Sequence, residues 1–97
     1  MNNIITKEKL DKYFDVSKRA LDMARVAFDE ERLDMAKDFF NMAQSYYDDA
    51  KFFLETKKDM VLAFAALNYA HGWLDAGARI RLFKVNDSTL FTVDDEE

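Results

Sequence analysis

The sequence predicts an all-α protein, an up-and-down bundle of three long helices followed by a short acidic C-terminal tail. Three observations carry that expectation. The 97 residues include no proline and only two glycines, too little turn punctuation for the tight reversals of a β-sandwich or barrel. Apolar residues make up 49% and charged residues 34%, which suits a chain that folds rather than one that stays disordered. Apolar positions also recur at helical spacing over three stretches, approximately 7–28, 30–55 and 57–83, inside a single domain spanning 1–84. Residues 85–97 stand apart as an acidic, flexible tail.

The first helix is marked by Thr6 as N-cap, with Ile5 placed to pack on Leu10 across it. Leu10, Phe14, Ser17, Leu21, Ala24 and Phe28 then step by four and three along one face. Asp29 followed by Glu30 and Glu31 reads as the start of the second helix, because carboxylates complement the positive end of the helix dipole. Phe28 and Leu33 would staple that cap, and a single kinked helix is the competing reading. The second seam alternates large and small residues: Phe39, Ala43, Tyr46, Ala50 and Phe53. Thr56 to Asp59 resembles a capping box in which Asp59 reaches back to the Thr56 amide.

The third helix is apolar around most of its circumference. Met60, Phe64, Leu67, Leu74 and Ala78 form one seam; Leu62, Ala66, Tyr69, Trp73, Ala76, Ile80 and Phe83 form another. Two neighbouring helices bury one seam well, so the surplus calls for cover by the tail, a second copy or another ligand. Ala63, Ala66, Ala70 and Gly77 make a small-residue line that lets another backbone approach closely. The polar residues are confined to a stripe, Asn68, His71, Asp75 and Arg79, with Gly72 between them. That stripe is the candidate interaction or ligand strip. Asp75 and Arg79 are spaced for an ion pair. Gly72 leaves room for a close neighbour. In the tail, Leu90, Phe91 and Val93 before four acids form a candidate recognition motif for a basic partner.

Several function classes are disfavoured. The net charge of −5 speaks against phosphate neutralisation, so no nucleic acid is expected. Four of the nineteen acids are the last four residues, which leaves the bundle itself near neutral. No cysteine means no disulfide and no thiolate metal site. A di-iron bundle wants glutamate three residues before a histidine, and Asn68 stands there before His71. Glu30, Asp34 and Asp38 share a face but read as solvated acids. The expectation is therefore no metal, no cofactor and no catalytic group. The stretch Met60 to Leu74 falls short of the roughly 20 apolar residues a membrane span needs. With no leader segment in sight, the expected location is the cytoplasm.

One run carries a resemblance. Tyr69, Gly72, Leu74, Asp75, Ala76, Gly77 and Arg79 follow a pattern that resembles a small archaeal family catalogued as a domain of unknown function, number three-five-seven. The resemblance implies an up-and-down three-helix bundle and no particular activity. Members of that family often carry glycine where this chain has Arg81. The leading functional expectation is a non-catalytic module that binds a protein partner or a second copy through helix 3. The alternative is a small ligand-binding protein or enzyme with a polar site at His71, Asp75 and Arg79.

Overall fold

Helix α1 (Lys7–Arg25) begins as its cap dictates: the Thr6 hydroxyl accepts from the Lys9 amide at 3.1 Å. A computed structural model describes residues 3–92, in which α1 is followed by a 3-10 turn (Glu30–Arg32), α2 (Leu33–Glu55) and α3 (Met60–Arg79). Among the described residues the only β-pairing is an antiparallel bridge between Phe28 and Phe83. Ring contacts give the directions. Phe14 meets Tyr47 and Phe28 meets Phe40, so α1 and α2 are antiparallel. Phe39 meets Trp73 and Tyr46 meets Tyr69, so α3 turns back along α2 and runs parallel to α1.

The break between α1 and α2 is real, but it lies earlier than the sequence suggests. Helix α1 ends at Arg25, and the backbone that follows pairs instead with the segment just past the end of α3. Lys84 donates to the Ala27 carbonyl and Asp29 to the Leu82 carbonyl, both at 2.8 Å. Asp29 is buried, and its carboxylate accepts from the Glu31 amide and from Arg32 Nε at 2.7 Å. The Arg32 guanidinium and the Glu31 amide beside it hold the Asp29 carboxyl below its ordinary range. Arg32 reaches on to the Ile80 carbonyl at 2.8 Å, so this corner stitches the 3-10 turn to the end of α3. Phe28 meets Phe40 edge-on and Phe83 at a tilt rather than forming the staple with Leu33, which is exposed.

Helix α3 starts later and stops sooner than expected. Its N-cap is Asp59, whose carboxylate accepts from the Leu62 amide at 3.0 Å; it does not reach back to Thr56. The forward bond wins because it satisfies a helix-end donor with no intrahelical partner. At the other end Leu82 donates to the Gly77 carbonyl at 2.8 Å and Arg81 to the Ala78 carbonyl at 3.1 Å. That pair of bonds is a Schellman stop, with Arg81 in the left-handed region at φ 66°. Lys58 takes the same conformation (φ 55°) in the α2–α3 turn. A chain poor in glycine thus reverses by placing long basic side chains where glycine is usual. Arg81→Gly is expected to raise stability by about 0.5–1 kcal/mol by removing the Cβ strain of this conformation. Arg81→Val should lower stability; thermal unfolding of both variants checks the ordering.

The core follows a heptad on α2: Ala36, Phe40, Ala43, Tyr47 and Ala50 are all buried. The aromatic doublets are therefore shared out. Phe40 and Tyr47 turn inward toward α1, while Phe39 and Tyr46 lie half-buried against α3. This shifts the seam by one position from the one read in the sequence, where Phe39 and Tyr46 were central. On α3 the first seam is largely buried, through Leu67, Leu74 and Ala78. The second is largely open: Leu62, Tyr69 and Ile80 are exposed.

Candidate functional site

Each residue of the predicted strip sits on α3, but the structure divides them. Gly77 is buried, and what fills the space it leaves is the ring of Phe83 from the same chain. A Cβ at position 77 would lie 2.6 Å from Phe83 Cδ2, so the ring could not stay where it is. The expected close approach is therefore made by a side chain beyond the helix end. Ala63, Ala66 and Ala70, the rest of that small-residue line, are buried in the core. Gly72 is the opposite case. It is exposed, and a Cβ there would meet nothing within 4 Å, so packing within the bundle gives no reason for glycine.

His71 and Asp75 are engaged by the segment that follows the bundle. Val85, Leu90 and Phe91 are buried, so residues 85–92 form a strap lying on the bundle. Burial of two large apolar side chains holds the strap down, each contributing on the order of 1.5–3 kcal/mol. Thr92 donates its amide to Asp75 Oδ1 at 2.9 Å and its hydroxyl to Oδ2 at 3.2 Å. His71 Nε2 lies 2.7 Å from the Leu90 carbonyl. A carbonyl only accepts, so Nε2 carries the proton and has no lone pair to offer a substrate. Inside the strap, Asp87 closes a turn by accepting from the Thr89 amide at 2.9 Å and from the Thr89 hydroxyl. These bonds hold the Asp87 carboxyl below its ordinary range.

The ion pair expected between Asp75 and Arg79 does not form; the Thr92 donors take both Asp75 oxygens instead. Arg79 is exposed and pairs with no carboxylate among the described residues. Leu90 and Phe91, expected to project as a recognition motif, are buried on their own bundle; Val93 and the four terminal acids lie outside the described residues. Thr92 is the functional residue that sequence reasoning missed. Its partner is seventeen positions away, and no local pattern announces it. Among the described residues no group of three or more histidines and acids lies close enough to hold a metal ion.

Two grooves flank Gly72. One, of about 300 Å³, runs between Tyr13 and Ser17 of α1 and Asn68 and His71 of α3, and Asp75 closes its end beside the strap. The other is shallower and apolar, between Phe39 of α2 and Tyr69, Trp73 and Ala76 of α3. The ring pairs Phe39–Trp73 (5.0 Å, edge-on) and Tyr46–Tyr69 (5.2 Å, stacked) build the wall between α2 and α3 there. No helix among the described residues is long and apolar enough to cross a membrane.

A family model described as a protein of unknown function (DUF357) matches residues 12–83, from within α1 through α2 and α3, and stops just before the strap. Neither a curated protein nor a solved structure matches the chain.

Proposed function

The chain belongs to the DUF357 family, and from that premise we propose that it is a non-catalytic protein-interaction module that docks a protein partner or a second copy through α3. One observation supports this reading above others. From Met60 to Leu74 the helix carries no charged residue, yet Val61, Leu62 and Tyr69 on it and Ile80 just past its end are each between 45% and 67% exposed. The exposed sides of α1 and α2, by contrast, are dense in lysine, arginine and acids. Depletion of charge together with enrichment in aromatic side chains is the composition of an interface centre. Asn68 and Gly72 border this face beside Tyr69, and the open space above Gly72 suits the close approach of a partner. The polar-site alternative is weaker, since His71 and Asp75 are occupied by the strap and Arg79 stands apart from them.

A photo-crosslinking amino acid placed at Tyr69 or Ala76 tests the reading in cells. The expected result is a discrete adduct, to another polypeptide or to a second copy, that is absent when the same group replaces Lys12 on α1. Equal, diffuse labelling at all three positions, together with a strict monomer by light scattering up to millimolar concentration, would overturn it.

A further inference from the structure

The buried polar residues among those described are Asp29 and Ser17. Asp29 is satisfied by the Glu31 amide and the Arg32 guanidinium. Ser17 is not satisfied in this way. It lies on the core face of α1 with Leu10, Leu21 and Ala24, is 3% exposed, and its hydroxyl has no hydrogen-bond partner among the described residues. A desolvated hydroxyl without a partner costs stability, and alanine would suit this helical position better. Among the described residues, no side-chain oxygen or nitrogen is both sealed from solvent and unpartnered, so the Ser17 hydroxyl keeps an opening. That opening is the groove between α1 and α3, which Ser17 lines.

The groove has the size and chemistry of a small-molecule site. Its volume of about 300 Å³ is at the lower end of ligand pockets in general. Val16 and Leu67 give it apolar walls, and Gly72 leaves space that no group of the bundle fills. A gap between two packed helices is a slot, which suits a flat molecule. At the end beside the strap, His71 and Asp75 are already bonded to the Leu90 carbonyl and the Thr92 donors. The hydrogen-bonding groups left over are the Ser17 hydroxyl and the exposed Asn68 amide, which also has no partner among the described residues. No lysine or arginine lines the groove, and Asp75 is the one acid on its walls. The potential there favours N–H donors and disfavours a carboxylate or phosphate.

We propose that the α1–α3 groove binds a flat, uncharged or cationic ring compound carrying N–H donors. The Ser17 hydroxyl accepts one of those donors at the floor, and the Asn68 side-chain amide bonds the ligand at the rim. Only Asn68 and Gly72 also border the apolar groove between α2 and α3. Ser17 takes no part in that second surface, so the two readings fail separately.

The test titrates the ¹⁵N-labelled full chain with benzamidine and adenine, and with benzoate as the anionic counterpart. Both nitrogen compounds are expected to shift the amide signals of Ser17, Asn68 and Gly72 saturably, and benzoate should bind about tenfold more weakly or worse. Ser17→Ala should weaken both probes by about fivefold, the worth of one hydrogen bond. Its thermal unfolding midpoint should be unchanged or higher, because the hydroxyl bonds nothing in the fold. Gly72→Leu fills the slot from a position where a Cβ meets nothing within 4 Å, and should abolish binding with helical circular dichroism retained. The proposal is overturned if neither probe gives saturable shifts, if benzoate binds as tightly, or if Ser17→Ala binds the probes unchanged. A lower midpoint for Ser17→Ala would also overturn it, by giving the hydroxyl a place in the fold itself.

Discussion

Phe83→Ala is expected to destabilise the chain by about 3–5 kcal/mol, the largest loss of any single truncation outside the helices. The side chain is fully buried, meets the Phe28 ring at a tilt (5.8 Å between centroids) and covers Gly77. Its backbone lies outside the helices and is held by the bridge to Phe28 and by its amide, which donates to the Gly77 carbonyl of α3. Removing the ring opens a cavity where the ends of α1 and α3 meet, and the short extended segment there cannot collapse to fill it. Urea unfolding followed by helical circular dichroism should show a lower midpoint at an unchanged slope. A loss under 1 kcal/mol would show that the ring does not bind the two helix ends together.

Gly77→Ala is expected to cost about 1–3 kcal/mol, against the direction of helix propensity, which favours alanine by about 1 kcal/mol. The added methyl overlaps the Phe83 ring, which is fully buried and in contact with the Phe28 ring. The same substitution in a Phe83→Ala background meets no ring. There it is expected to be neutral or stabilising by up to about 1 kcal/mol. Denaturation of the two single variants and the double variant closes the cycle. Additive losses would mean that position 77 suffers from something other than Phe83.

How much of this was legible beforehand differs from residue to residue. Thr6 and Asp29 were readable as caps because a cap is a local event: a side-chain oxygen meets amides two or three residues on. The three helices were readable for the same reason, since their periodicity is written in each segment. The second seam of α3 was also readable as a surplus of apolar surface, and the structure leaves Leu62, Tyr69 and Ile80 on it exposed. The stripe of Asn68, His71, Asp75 and Arg79 was visible as a stripe, but what it touches was not. A local rule pairs Asp75 with Arg79 one turn away; the Thr92 amide and hydroxyl displaced that choice because together they satisfy both carboxylate oxygens.

The aromatic doublets show the same limit. Adjacent residues on a helix point about 100° apart, so one member of Phe39/Phe40 and one of Tyr46/Tyr47 must face α1 and the other α3. Periodicity alone allows either assignment. The placement of α1 against Phe40 and Tyr47 chose between them.

The sequence by itself determined that this is an all-helical chain of three helices, and that α3 carries more apolar surface than two neighbours cover. These follow from spacing and capping, which act over a few residues. Only the tertiary structure decided that the two glycines serve different ends, one roofed by Phe83 and one open to its surroundings. It also decided that residues 85–92, which carry no helical period, lie on the bundle with Leu90 and Phe91 buried. Both outcomes rest on partners far away in the chain, and contacts of that kind are set by how the helices pack, not by any local pattern.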